Sequence, residues 1–342
     1  MDTSFFVLDG LEWFHQRSIA TKFFSPRMLR DIATPMFNKH AEVFYSVLEK
    51  SCGSHEPVNL TMLFHELTLQ QMAELGFGFQ MDLIGSEHGH PLDRAMEVAM
   101  RQVLYRMQTP EWFWKLQRFL NVGSERTFRQ VASEVHGIVG EMIHNSLAQA
   151  QSKVALSTHI FEQKLRKELW DKVPELMRGE TTTLTLEQTQ ALTHLDAVIK
   201  GTLRLYPPGP LSTRQAERDT HLVDGTFVAK GMTVTVMPYV MGRLQSIWGD
   251  DAHQLKPERF IDAATGESRV VSPFEFFSFH AGPRVCIGKH LAMLQLKLVI
   301  ATLLSRYRLD MLPNDGSYKF STMLQPKSPL LARICRADSL AN

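Results

Sequence analysis

Cysteine is scarce in this 342-residue chain: Cys52, Cys286 and Cys335 are the whole set. They lie far apart with no CxxC pair, which excludes a disulfide framework and the paired spacing of a structural zinc site. Free thiols in a reducing compartment are the expectation. An excess of one charge is also missing. Lys and Arg total 37 against 36 Asp and Glu, formal net charge is +1, and no dense basic block occurs, so no nucleic-acid partner is expected. No apolar run reaches bilayer length. The most apolar, LAMLQLKLVIATLL (291–304), is too short to span hydrocarbon and carries Lys297, so it reads as a packed core helix. The first residues, MDTSFFVLDGLEWFHQRS, show an early acid and no long apolar region, the pattern of neither a signal peptide nor a membrane anchor. Internal repeats and low-complexity tracts are absent from the sequence.

What is present is 44% hydrophobic residues and 21% charged residues, a globular composition. The first half reads as helices. Trp13 and Arg17 stand four apart on one helical face. A Ser-Pro start at Ser25 opens a long segment in which Met36, Val43, Phe44 and Val47 recur near helical period, with Pro35 bending or dividing it. VNLTMLFHELTLQQMAELGFG and LDRAMEVAMRQVLYRM read as further helices. An aromatic segment, EWFWKLQRFL, precedes a Gly-Ser-Glu turn and a long helix; Trp112 and Trp114 are expected to anchor packing. FEQKLRKELWDKV reads as a surface helix. TLEQTQALTHLDAVIKGTLRL is helical, with Thr185 and Gln188 at capping-box positions, a stripe of Leu195, Val198, Ile199 and Leu203, and Pro207 and Pro208 ending it. Two β-prone runs broken at Asp224-Gly225 and Lys230-Gly231 predict hairpins. The total is a mainly α protein with a small β portion.

Cys286 lies in FEFFSFHAGPRVCIGKHLA between Gly282 and Gly288, whose lack of a Cβ allows close approach or unusual dihedrals. Arg284, two residues before it, and a helix starting near Ile287 would both favour a thiolate. A lone thiolate suits an axial haem ligand, whereas a buried, inert cysteine is the common alternative. Spacing alone leaves both open.

The stretch FHAGPRVCIG resembles the haem-binding signature of cytochromes P450 at Phe279, Gly282, Arg284, Cys286 and Gly288, and Ala292 in CIGKHLA also fits. The resemblance implies a haem b (heme) cofactor, its iron ligated by the Cys286 sulfur. It also implies Phe279 packed near that sulfur and Arg284 paired with a propionate. Trp13 and Arg17 look like the tryptophan and arginine of the family's C helix, and Arg214 in GPLSTRQA like the basic residue after the K helix; both sets reach propionates there. KPERF supplies Arg259. Physically, propionates buried beside an apolar ring need cationic company. WKLQRFLNVGSER, LRLYPPGP and YVMGRLQSIWGDDAHQLKPERF look like the plant-type fatty-acid omega-hydroxylases. That implies O2 as oxidant, a fatty acid or related lipid as substrate, and electrons from NADPH passed through a flavoprotein, NADPH-cytochrome P450 reductase. It implies the endoplasmic reticulum membrane as location, although this chain shows no transmembrane anchor. Lys289, His290 and Lys297 follow the cysteine and offer positive charge for docking that reductase, or form a plain solvated face.

The sequence departs from the family in two places. Arg204 of the K-helix Glu-x-x-Arg pattern is present, but Gly201 takes the glutamate position. Arg204 and Arg259 thereby lose a shared buried acceptor, a change worth about 3–5 kcal/mol, and a mid-helix glycine adds roughly 1 kcal/mol. The second departure is a missing I helix: VGEMIHNSLAQAQSKVALSTH runs directly into IFEQKLRKELW, a J-helix-like segment, with no acid–threonine pair between. No catalytic residue beyond the haem ligand is therefore expected. The chain reads as one incomplete P450 domain over 1–342, with a distal helical part at 1–157 beginning at the C helix. The part at 158–342 holds the J and K helices, a small sheet, the haem-thiolate loop and the L helix. A monooxygenase is the leading expectation and a non-catalytic or degenerate haem-binding remnant the alternative; an isomerase or dehydratase needing no external oxygen ranks below both.

Overall fold

A computed structural model describes residues 8–52, 54, 56–77, 80–85, 98, 101–102, 105–106, 109–129, 159–314, 317–320 and 323–337. The helix expected at 92–107, most of the long helix after the Gly-Ser-Glu turn, and the 130–158 junction at which no I helix is expected fall largely or wholly outside those residues.

Eight helices among the described residues carry the framework. α1 (Gly10–Thr21) buries none of its residues. Ser25 then caps a turn by accepting from the Met28 N–H at 3.3 Å. A π-helical segment over Leu29–Ala33 leads into α2 (Thr34–Ser51), with Pro35 in its first turn. Proline has no N–H to donate, so it is tolerated where a new helical segment begins. α3 (Leu60–Phe77) and α4 (Glu111–Leu120) follow, then α5 (His159–Lys172), α6 (Leu186–Ala191) and α7 (Thr193–Leu205). The capping box at α6 is fully formed, Thr185 and Gln188 each bonding the other's backbone N–H. α8 (Lys289–Arg306) runs from the cysteine loop into the sheet.

The β portion is small. β1 (Val58–Asn59), β6 (Tyr307–Met311) and β9 (Leu331–Arg336) make an antiparallel sheet in the order β1-β9-β6. The Asp-Gly turn joins β3 (Thr220–His221) to β4 (Phe227–Val228) as expected. The Lys-Gly turn returns the chain so that β5 (Thr233–Val236) pairs with β2 (Ser212–Gln215). β7 (Tyr318–Phe320) and β8 (Leu324–Pro326) form the last pair.

Two apolar cores share α8. Phe37, Phe44 and Leu48 of α2, Leu63 and Leu67 of α3 and Ile334 of β9 meet Leu294 and Leu298 of α8. On its other side, Met293 and Ala301 meet Leu165 and Leu169 of α5, Leu195, Val198 and Ile199 of α7, and Trp248, Phe260 and Phe276. A helix clasped on both sides is apolar all round, which is why its sequence resembles a membrane segment. Lys297 pairs there with Asp196 of α7 at 2.8 Å. It is buried, so the expectation that Lys297 offers charge to a docking partner is corrected. The expectation for Trp112 is corrected as well: it is 68% exposed, whereas Trp114 is half-buried with Arg106 at 4.9 Å over its ring.

Candidate functional site

The loop between Phe276 and α8 is shaped by local conformation. A 3-10 turn at Phe277–Phe279 ends on His280, at φ 60°, and Gly282 follows at φ 68°. The left-handed region is nearly free for glycine but costs energy for histidine. Burial, and then the nearby charge of Arg214, lower the pKa of His280. A second 3-10 turn, Gly282–Arg284, brings the chain back so that Cys286 donates its N–H to the Phe279 carbonyl at 2.8 Å. The thiol is exposed. Gly288 caps α8 with an ordinary φ of −83°, and a Cβ there would meet only Phe24 at 3.7 Å. Gly282 thus fulfils the expectation of unusual dihedrals, and Gly288 does not.

α1 is attached to this loop by two arginines. Arg17 donates to the Val285 carbonyl at 2.6 Å. Arg284 donates to the Leu8 carbonyl at 2.8 Å and pairs with Asp9 at 2.5 Å. It is turned toward α1 rather than toward the thiol, and α8 begins at Lys289, three residues after Cys286. The Trp13 ring faces both guanidinium groups, at 5.6 Å from Arg17 and 4.2 Å from Arg284. Four sequence-selected residues therefore converge: Trp13, Arg17, Arg284 and Cys286. Phe279 packs edge-on against Phe276 at 6.1 Å, with Lys289 at 5.8 Å over its face. Arg214 is exposed on β2, bonded to the Thr213 carbonyl, and its charge reaches the loop at His280. Among the described residues, neither Arg17 nor Arg214 forms an ion pair with a carboxylate.

Beneath the loop lies a second, buried cationic centre. Arg204 of α7 is 1% exposed and donates to three carbonyls, those of Gly242 and Ala252 at 2.5 Å and Gln254 at 2.6 Å. Its guanidinium also lies 5.1 Å from the Trp248 ring. Burial, then repulsion from Arg259 and Arg243, pulls its pKa down to about 10. It remains charged at neutral pH. Arg259 donates to Trp248 and to both the backbone and the carboxylate of Asp251. The position of the missing glutamate is filled: a Cβ on Gly201 would come within 2.8 Å of Leu255. The two guanidinium groups, for which the sequence offers no shared acceptor, are held separately, Arg204 by three carbonyls and Arg259 by Trp248 and Asp251. The Nε of Arg204 and of Arg259 remain buried without partners. Sequence reading missed Asp251. Its signal was an acid eight residues before Arg259, on the same turn-rich segment.

The cytochrome P450 family model matches this chain in two pieces, residues 1–172 and 158–332. Cytochrome P450 704C1 of Pinus taeda is 27% identical over 388 residues, covering 93% of this chain and 74% of that protein. Cytochrome P450 94B3 of Arabidopsis thaliana is 28% identical over 354 residues, covering 89% and 69%. Noroxomaritidine synthase of Narcissus is 28% identical over 360 residues, covering 90% and 70%. The 388 aligned positions outnumber the 342 residues of this chain, so the pine protein carries internal segments with no counterpart here. The two family matches overlap at 158–172, next to the junction at which an I helix was expected to be missing. A mainly α fold, the convergence on one cysteine loop and a match covering most of the sequence lead to one conclusion: the chain belongs to the cytochrome P450 family.

Proposed function

We propose that this chain holds a haem through Cys286 and derives from a monooxygenase acting on fatty acids or related lipids. The observation that carries the reading is the assembly of an exposed Cys286 with Trp13, Arg17 and Arg284 from opposite ends of the sequence.

The residues fit such a group on its proximal side. An outward-facing thiol with its own N–H already bonded is free to donate sulfur to iron. Arg17 and Arg214, which have no carboxylate partner among the described residues, offer guanidinium groups that suit two propionates. Arg284 is held by Asp9, a carboxylate in the place that a propionate would contest. Leu11 and Phe14 of α1 and Phe23 just after it are exposed apolar side chains, surface of the kind a porphyrin ring covers. A shallow groove of about 410 Å³, lined by Lys164, Glu168, His194 and Glu258 among others, shares no residue with this loop. Bound at Cys286, a thiolate-ligated haem supplies oxygen activation. Trp13 and Arg17 would orient it and offset propionate charge, Phe279 would shield the sulfur, and Lys289 and His290 would face an electron donor such as the NADPH-dependent flavoprotein reductase.

The lipid reading rests on the resemblance of residues 114–126, 203–210 and 239–260 to omega-hydroxylases. In that reading residues 1–342 are one domain, divided near 157/158, placed at the endoplasmic reticulum surface. No helix among the described residues is long and apolar enough to cross a membrane. A second reading, a haem-binding remnant without turnover, is favoured by the two-piece family match and by Gly201. Positioning groups cannot act without the element that bears them. Haem-loaded protein supplied with reductase, NADPH, O2 and a long-chain fatty acid separates the two. Hydroxylated product supports the monooxygenase; thiolate-type haem binding without product supports the remnant; no haem uptake overturns both.

A further inference from the structure

Five of the six tyrosines of this chain meet one another in ring contacts, at two places with different surroundings. Tyr45 and Tyr307 pair in the core, 6.2 Å between ring centres. Both are buried, and their hydroxyls go to different partners. Tyr45 bonds the Val299 carbonyl and Thr302, whereas Tyr307 bonds the Tyr45 carbonyl and Glu49. Tyr206, Tyr239 and Tyr318 meet nearer the surface, beyond the end of α7. Tyr239, in the short helix Pro238–Met241, and Tyr318 of β7 stand 6.0 Å apart and touch hydroxyl to hydroxyl. With the hydroxyls in contact and the ring centres this close, the rings fold toward each other rather than lying end to end, which makes neighbours of the ortho carbons beside the oxygens. Tyr206, 47% exposed, meets Tyr318 edge-on at 6.4 Å. Arg243 holds the group in place. It donates to the Leu205 and Tyr239 carbonyls, and its guanidinium lies 3.8 Å from the Tyr239 ring centre and 5.5 Å from that of Tyr206.

Phenols oxidised by one electron each couple through their ortho carbons, and two rings already held together couple far faster than two that must find each other. We propose that Tyr239 and Tyr318 are an oxidative cross-linking site, closed into a dityrosine bond by hydrogen peroxide acting through a haem peroxidase, with Tyr206 as the exposed ring through which the electrons leave. Each phenol gives up one electron and its hydroxyl proton. The two radicals form one carbon–carbon bond, and the hydrogen displaced from each ortho carbon returns to the oxygen of its ring. Peroxide takes the two electrons and two protons and leaves as two waters. The bond would join residues 79 positions apart, from the end of the α7 connection to the last strands. It would restrict the unfolded chain as a disulfide does. Tyr45 and Tyr307 serve as the internal control: their ring spacing is nearly the same, but their hydroxyls do not meet and neither ring reaches solvent. The site does not depend on Cys286 holding iron, because the oxidant is supplied from outside.

Treatment of the full chain with hydrogen peroxide and a separate haem peroxidase tests this, read by intact mass, dityrosine fluorescence and peptide mapping. The expected product is a monomer lighter by two hydrogen atoms, with dityrosine emission and one linked peptide pair that joins Tyr239 to Tyr318. Its unfolding midpoint is expected to lie above that of the untreated chain. Tyr239→Phe and Tyr318→Phe, which lose only a hydroxyl, are each expected to abolish the bond. Tyr206→Phe is expected to slow its formation severalfold without moving it. The peptide map of the parent chain needs no variant, so the proposal stays testable if a variant fails to fold. Absence of the Tyr239–Tyr318 bond, a bond mainly between Tyr45 and Tyr307, or dityrosine found only between separate chains would overturn the proposal. An unchanged rate in Tyr206→Phe would overturn the part given to Tyr206.

Discussion

The two arginine clusters of this protein teach opposite lessons. Around Arg204 and Arg259 the chain has closed on itself: carbonyls, Trp248, Asp251 and Leu255 fill the neighbourhood. Around Arg17 and Arg284 it has not. α1 buries no residue, Cys286 is exposed, and Phe14 stands 67% in solvent. Beside Gly201, Leu255 occupies the space a side chain would take, and carbonyls and Asp251 hold the arginines. Around the proposed haem site the surface stays open. Stability and function are thus separated in space, and substitutions in the two clusters should behave differently.

The largest effect expected is at the closed cluster. Arg204→Ala strands two buried carbonyls and a third, part-buried one and should cost about 4 kcal/mol or more, measured by denaturant unfolding; Arg204→Lys recovers little, because one ammonium cannot reach three acceptors in a fork. Next is a direct contrast. Phe260→Ala removes a fully buried ring and should cost about 3–5 kcal/mol, whereas Phe14→Ala should change apoprotein stability by no more than about 0.5 kcal/mol and instead weaken haem retention. Equal costs at the two positions would erase the contrast. Tyr45→Phe is a smaller probe of the other core: its hydroxyl donates to the Val299 carbonyl at 3.0 Å and meets Thr302 at 2.5 Å, so its loss should cost about 1 kcal/mol.

The smallest effect is a dependence on pH. Burial lowers the pKa of His40, His194 and His280 below the ordinary value of 6.5. The unfolded chain then binds protons at these positions before the native state does, so stability should decline as pH falls through 6.5. Thermal unfolding between pH 7.5 and 5.5 checks the sign; a rising midpoint on acidification would contradict it.

Much of this was legible in the sequence, because local rules governed it. The stripe of Leu195, Val198, Ile199 and Leu203, the Thr185 cap, and the Asp-Gly turn each follow from residue type and spacing over a few positions. The cysteine loop was legible through its resemblance to a family signature; spacing alone left a haem ligand and an inert cysteine both open. Asp251 was not, since its partner is chosen by how the segment from Trp248 to Arg259 folds back on α7. The burial of Lys297 was equally hidden: helical spacing puts a lysine on a face, but only the packing of α7 shows that the face meets Asp196. For Trp112 the sequence gives an amphipathic helix and an aromatic side chain, neither of which says what, if anything, lies opposite.

The claim that Cys286 and its surrounding cations form a haem-thiolate site is tested most directly by a reduced carbon monoxide difference spectrum of the purified chain supplied with haem. The account predicts a thiolate-type band that disappears in Cys286→Ser while the unfolding midpoint of the apoprotein stays the same. A haem signal without thiolate character, or a band that survives Cys286→Ser, would contradict it.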